Sequence, residues 1–183
     1  MLLKKNKTLY NHLISLERNL GKGGAVLKGL EKATGDYILF QDADLEYSPT
    51  DYNLLIKPVI DFGADVVMGT RFSGSTFTRV HYFWHKVGNR SITFIFNLVN
   101  NTTFTDIYSC YLIYRKSLVP MEKIVTKGWE QHAEILSLAV KNGNIFYEVP
   151  ITYRGRSYDE GKKIRGHHAF KIVYTIIKKR FFS

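Results

Sequence analysis

A single cysteine, Cys110, stands in the 183 residues, so the chain closes no internal disulfide and reads as a protein of a reducing compartment. It lies in the apolar run of residues 107–112, where a buried structural thiol is a better reading than a nucleophile. No apolar stretch reaches the roughly 18 residues that a membrane span needs. The longest, residues 92–99, is interrupted by Asn97. The opening Met1-Leu2-Leu3-Lys4-Lys5 lacks the basic-then-apolar order of a signal peptide. Neither H-E-x-x-H nor the P-loop spacing occurs, which argues against a zincin and against an ATPase. Repeats, linkers and low-complexity tracts are missing too. A soluble or membrane-peripheral protein is the expectation.

Acidic residues are few: 16 Asp and Glu against 26 Lys and Arg, a net charge of +10. The excess is terminal. Residues 1–34 carry a net +5 and residues 151–183 a net +7, while residues 35–150 carry −2. Such ends attract nucleic acid, anionic lipid or phosphorylated substrates, or merely keep the chain soluble. No nucleic-acid motif accompanies the charge, so no nucleic-acid partner is expected. The length fits one domain with a sizeable core, and 45% hydrophobic with 23% charged residues is ordinary for a globular protein.

Against this background one segment is distinctive. Tyr37-Ile38-Leu39-Phe40 is an apolar run that ends in Gln41-Asp42-Ala43-Asp44. Residues two apart in extended chain project to the same side, and open α/β sheets bind ligands beyond the carboxyl ends of their strands. Two such carboxylates can hold one hard divalent cation, which in turn holds a diphosphate. The motif alone is weak, because eight aspartates in this length produce a D-x-D by chance about 0.35 times. Its flanks strengthen it. Ala33-Thr34-Gly35-Asp36 reads as a helix stop, and Ser48-Pro49-Thr50-Asp51 as a helix start with Ser48 as N-cap and Asp51 in the capping-box position.

The remaining pattern is α/β. Residues 13–16 read as a short strand, 19–24 as a turn, and 25–33 as a helix. A strand is expected at 37–41, a helix at 49–62 with Leu55, Ile56, Val59 and Ile60 on one face, and a strand at 65–69. The β-α-β-α-β order predicts a largely parallel sheet. A long helix is expected at 82–99, a loop and strand at 103–114, a helix at 129–141 and a strand at 145–153. A basic loop, 154–165, precedes a helix at 169–182 with Phe170, Val173, Tyr174 and Ile177 on one face.

Several other residues invite two readings. Gly21-Lys22-Gly23-Gly24 before a helix is either a tight turn or a phosphate cradle. Arg71, at the end of the 65–69 strand, is either a bidentate phosphate clamp or a surface arginine. Glu130 and Glu134 share a helix face, where like charges serve a site or simply face water. Asp106 is either a site carboxylate or a cap. His167 and His168 read as loop or helix surface.

Taken together these segments resemble the family 2 glycosyltransferases. The resemblance rests first on Asn19-Leu20-Gly21-Lys22-Gly23-Gly24-Ala25, Ala33-Thr34-Gly35-Asp36-Tyr37-Ile38 and Gln41-Asp42-Ala43-Asp44-Leu45-Glu46. Gly69-Thr70-Arg71-Phe72, Thr105-Asp106 before Cys110-Tyr111, the pair Glu130 and Glu134, and Val149-Pro150-Ile151 followed by the basic stretch 156–163 narrow it to the dolichol- or polyprenyl-phosphate hexosyltransferase branch. Each motif is weak, and their order and spacing are specific.

The resemblance implies a single glycosyltransferase-A-like domain over 1–183, a mostly parallel sheet flanked by helices. It implies Mg²⁺ or Mn²⁺, a nucleotide-sugar donor such as UDP-glucose or GDP-mannose, and a polyprenyl phosphate acceptor. By position, Asp42 would meet the donor and Asp44, with Asp42, the metal. Lys22, Gly23, Arg71, Arg156, Lys162 and Lys163 would meet donor or acceptor phosphates, and Asp106, Glu130 and Glu134 would line the acceptor side. The inverting enzyme so implied would sit peripherally on the cytoplasmic membrane face, its basic loop and last helix (154–183) toward the lipid. Only about a dozen residues precede the match, so the family's first β-α unit, with the base pocket, is expected to be missing. The exposed edge then calls for a partner or a homodimer. The alternative is a truncated, non-catalytic relative that binds a membrane or a partner.

Overall fold

The computed structural model describes residues 8, 10–73, 83–155 and 168–182. Among the described residues five α-helices, α1 (Gly21–Leu30), α2 (Tyr52–Phe62), α3 (Phe83–Asn100), α4 (Glu130–Asn142) and α5 (His168–Phe181), surround a four-stranded sheet. Its strands are β1 (Tyr37–Leu39), β2 (Val66–Thr70), β3 (Leu112–Arg115) and β4 (Phe146–Pro150), in the order β1-β3-β2-β4.

The sheet is mixed rather than largely parallel. β1, β2 and β4 run the same way, but β3 lies between β1 and β2 and pairs antiparallel with both. Strand order along the chain carries no signal for such an insertion, since β3 comes back after a long helix. Val66 and Met68 of β2 join one apolar cluster and Val67 the other, as side chains alternate across a strand. Both faces are thus covered, which is why the run is apolar throughout.

Local chemistry explains most boundaries. Ser48 accepts a hydrogen bond from the Thr50 N–H at 3.3 Å, and Pro49 opens a 3₁₀ turn that leads into α2. Asp51 does not close a capping box. It accepts from the Thr152 N–H at 2.8 Å instead and ties α2 to the end of β4. Gly63 ends α2 at φ 64°, a conformation that disfavours side chains. The helix buries Leu55 and Pro58, whereas Ile56 and Ile60 stay exposed.

Three further expectations are corrected. Residues 13–16 form no strand; residues 10–20 carry no regular secondary structure, and among the described residues nothing pairs with them. The segment Gly21-Lys22-Gly23-Gly24 is the first turn of α1 rather than a turn before it. In α5 the buried face is Ile172, Thr175, Ile176 and Lys179, and Phe170, Tyr174 and Ile177 point to solvent. α5 packs on α3 and α4.

Candidate active site

Three parallel strands end on one side of the sheet, and the antiparallel β3 begins there. The chain segments at this end are Gln41 to Asp44 after β1, Arg71 after β2, and Thr105 to Tyr111 before β3. Asp42, Asp44, Arg71 and Asp106 lie in these segments.

Gln41 organises the end of β1. Its Oε1 accepts from the Tyr111 hydroxyl at 2.7 Å and the Tyr52 hydroxyl at 2.9 Å, while its Nε2 donates to the Asp42 carbonyl at 2.6 Å. Asp42 is half-buried and pairs with Lys22 Nζ at 2.7 Å. Lys22 belongs to the first turn of α1, so α1 and β1 meet at this ion pair. Asp44 Oδ1 accepts from the Glu46 N–H at 3.2 Å. Leu45 beside it has φ 61°, so the loop turns sharply there.

Arg71 and Asp106 form the second half of the site. Arg71 Nε lies 2.6 Å from Asp106 Oδ2 and Nη2 2.8 Å from Oδ1, and the Arg71 backbone N–H adds a bond of 3.2 Å to Oδ2. Asn89 of α3 donates to Oδ1 at 2.8 Å. The Glu148 carboxylate accepts from the N–H groups of Thr105 and Asp106 at 2.8 and 3.1 Å and so pins this segment to β4. Burial alone would push the Asp106 carboxyl up, but the Arg71 charge and the hydrogen bonds from Arg71 and Asn89 hold it below the usual range. Burial pushes Glu148 up, with the Thr105 and Asp106 amides opposing.

Cys110 and His132 sit close by. Burial pushes the Cys110 thiol up to about 12, with the Asp42 charge adding to it, so it is inert as the sequence suggested. His132 of α4 is held neutral. Burial, with the Lys22 charge, brings its imidazole down to about 4.

Glu130 and Glu134 part company. Glu130 is half-buried at the start of α4. Glu134 is buried, pairs with Lys179 of α5 at 2.8 Å, and accepts from the N–H groups of Val125 and Thr126. It faces the core rather than an acceptor surface, because α4 is buried along nearly its whole length. Gly23 is also buried. A Cβ there would collide with the Lys127 carbonyl, so its role includes close packing of α1 on the 124–128 loop. Arg156, Lys162 and Lys163 lie outside the described residues.

Sequence reading missed Asn89, Glu148, Gln131 and His132, none of which sits in a recognisable motif. Gln41, immediately before Asp42, had the position to be noticed.

A glycosyl transferase family 2 profile matches residues 5–120. The chain belongs to this family. It is 31% identical over 169 residues to a UDP-N-acetylglucosamine–dolichyl-phosphate N-acetylglucosaminyltransferase of Methanococcus voltae, a match covering 90% of this chain and 67% of that protein. It is 28% identical over 171 residues to an uncharacterized protein of Methanocaldococcus jannaschii, covering 90% and 70%. Among solved structures it resembles glucosyl-3-phosphoglycerate synthase of Mycobacterium tuberculosis. The TM-score is 0.62 at 16% identity, covering 98% of this chain and 60% of that one. The same synthase with Mn²⁺, UDP and phosphoglyceric acid gives a TM-score of 0.60 at 15% identity, with 93% and 57% covered. The chain therefore spans less than two thirds of the length of these solved relatives. The likeness establishes the glycosyltransferase-A-like fold.

Proposed function

We propose that this family 2 glycosyltransferase moves a hexose from a nucleotide-sugar to a polyprenyl phosphate of the dolichyl type, with inversion and with Mg²⁺ or Mn²⁺. The observation that carries the reading is that the Lys22–Asp42 pair, Asp44 and the Arg71–Asp106 pair all lie at one end of the sheet. The Methanococcus relative, by its name, uses UDP-N-acetylglucosamine and dolichyl phosphate. UDP-sugars therefore come before GDP-mannose as donors to test.

The donor set suits a hard cation. By their position after β1, Asp42 and Asp44 would supply the protein ligands; among the described residues no group of three or more His, Cys, Asp or Glu converges. Mg²⁺ usually keeps one or two carboxylates and fills its other positions with water and phosphate oxygens, and this pair fits that pattern. A bound ion would neutralise charge developing on the departing diphosphate.

The chain's own groups do the rest. Lys22, about half exposed, brings a cation beside Asp42 for the same diphosphate. Asp106 is ionised, fully buried and engaged by four donors, which leaves it a weak base. A lipid phosphate is already an anion and asks for no strong base, whereas a hydroxyl acceptor would need one, with Glu130 as the remaining candidate. Two guanidinium nitrogens of Arg71 are committed to Asp106, so its charge shapes the site more than it clamps a free phosphate.

Two neighbouring helices support a membrane-surface acceptor. α3 exposes Phe83, Trp84, Phe94 and Leu98, and α5 exposes Phe170, Tyr174 and Phe181. Lys86, Arg90, Lys171 and Lys178 are exposed on the same helices. This combination suits an interfacial helix pair on anionic lipid. Among the described residues no helix is long and apolar enough to cross a membrane. We place the protein peripherally, on the cytoplasmic face.

The test is a transfer assay with UDP-N-acetylglucosamine or UDP-glucose, a polyprenyl phosphate and Mn²⁺, with and without EDTA. Glycolipid that disappears with EDTA is the expected result. Folded protein that makes none with these donors or with GDP-mannose would overturn the reading.

A further inference from the structure

A line of buried and half-buried polar contacts runs from the last helix to the Gly23 carbonyl, next to Lys22 of the Lys22–Asp42 pair. Lys179 of α5 is 4% exposed; its Nζ meets Glu134 at 2.8 Å and donates to the Lys123 carbonyl at 2.6 Å. Glu134 in turn accepts from the Val125 N–H at 3.1 Å, the Thr126 N–H at 2.9 Å and the Thr126 hydroxyl. The loop so held presents the Thr126 carbonyl to Gln131 Nε2 at 2.8 Å. The same Nε2 donates to the Gly23 carbonyl at 3.1 Å. Gln131 is 3% exposed and is the one side chain in this line that touches both the loop and α1. Lys22, next to Gly23, then pairs with Asp42 at 2.7 Å.

We propose that Gln131, locked through the loop by Glu134 and Lys179, is a positioning residue for the Lys22–Asp42 pair. Its amide has two N–H groups and spends Nε2 on two carbonyls from different elements, so it sets the distance between the 124–128 loop and the first turn of α1. That turn has no side-chain cap from its N-cap residue Leu20, and its acidic first-turn positions are empty. Its placement therefore leans on Gln131, on the Asn19 side chain, which accepts from the Gly21 N–H at 2.8 Å, and on the close seat of Gly23 against Lys127. A buried, fully satisfied network of this kind rigidifies what it touches. Gln131 bonds the Gly23 carbonyl rather than Lys22 or Asp42, and acts on that pair through the first turn of α1. The inference rests on the donor-site reading of Lys22 and Asp42.

The experiment compares Gln131→Met, close in volume and unable to donate, with the unsubstituted chain. Lysine acetylation by an N-hydroxysuccinimide ester is followed by mass spectrometry. Lys28, paired with Glu31, and Lys57, paired with Asp61, are internal controls, and Asp42→Ala sets the rate for an unpaired Lys22. Lys22 acetylation is expected to rise by at least about twofold toward the Asp42→Ala rate, with both controls unmoved. An unchanged Lys22 rate in folded Gln131→Met overturns the proposal. If that variant does not fold, Gln131→Asn, one methylene too short to span both carbonyls, gives the same comparison. This arm needs no turnover, so it decides the proposal even where the transfer assay fails. With turnover, Gln131→Met should raise the donor KM more than it lowers kcat, and the increase should vanish in a Lys22→Ala background. Independent, additive effects would refute the route through Lys22.

Discussion

Arg71, at the end of β2, grips both carboxylate oxygens of Asp106 at 2.6 and 2.8 Å, and so joins two segments 35 residues apart in the chain. Asp106 is fully buried and Arg71 is 16% exposed, so the two residues are not equivalent. Removing the cation strands a buried anion. Arg71→Met should lose about 3–5 kcal/mol in denaturant unfolding, while Asp106→Asn, which keeps the shape and leaves a less buried cation, should lose less. The folded Asp106 carboxyl lies below its usual value, so its contribution is present above the unfolded pKa and is lost as pH falls through the folded one. The reverse order of the two variants would show that the pair is not the support described here.

Asp44→Ala should keep the fold, because the bond that its carboxylate accepts from the Glu46 N–H is local to the loop. Transfer should fall by about a hundredfold or more, equivalent to ~2.7 kcal/mol of transition-state stabilisation. Mn²⁺ binding, followed by paramagnetic resonance of the free ion, should weaken in parallel. Full activity with weakened Mn²⁺ binding would remove the metal from the proposed chemistry.

His132 should impose a pH dependence on stability. Its folded value is about 4 against an ordinary 6.5, with burial the main cause. Below 6.5 the unfolded chain takes up a proton that the folded chain refuses, so stability falls as pH drops from 6.5 toward 4. His132→Phe should flatten the slope between pH 6.5 and 5. An identical slope in the variant would assign the effect elsewhere.

Phe94 is 68% exposed and Phe170 83% exposed, so Phe94→Glu and Phe170→Glu should leave the circular dichroism spectrum unchanged. Each should weaken sedimentation with anionic phospholipid vesicles, and added salt should weaken binding of the parent chain. Vesicle binding indifferent to both substitutions would move the lipid contact to another surface.

Much of the fold could be read in advance. The run after Gly35 is a strand, its end carries Asp42 and Asp44, and Ser48 and Pro49 start the following turn. These features are local: a cap, a fixed proline φ and a short apolar run act within a few residues. Helix faces were less legible. α2 and α5 each carry more apolar residues than their contacts cover, so hydropathy alone misassigned Ile56, Ile60, Phe170 and Tyr174.

The amino-acid order by itself determined the α/β class, the family, and the carboxylates at the end of β1, because each depends on residue type and near-neighbour spacing. Tertiary structure alone decided the antiparallel insertion of β3, the union of Arg71 with Asp106 and the burial of Glu134. Those depend on which distant segments meet. A carboxylate in the sequence looks the same whether it will face a substrate or a lysine. Lys179 reads as a solvent residue until Glu134, 45 residues earlier, is brought within 2.8 Å of it, where mutual charge offsets the loss of water.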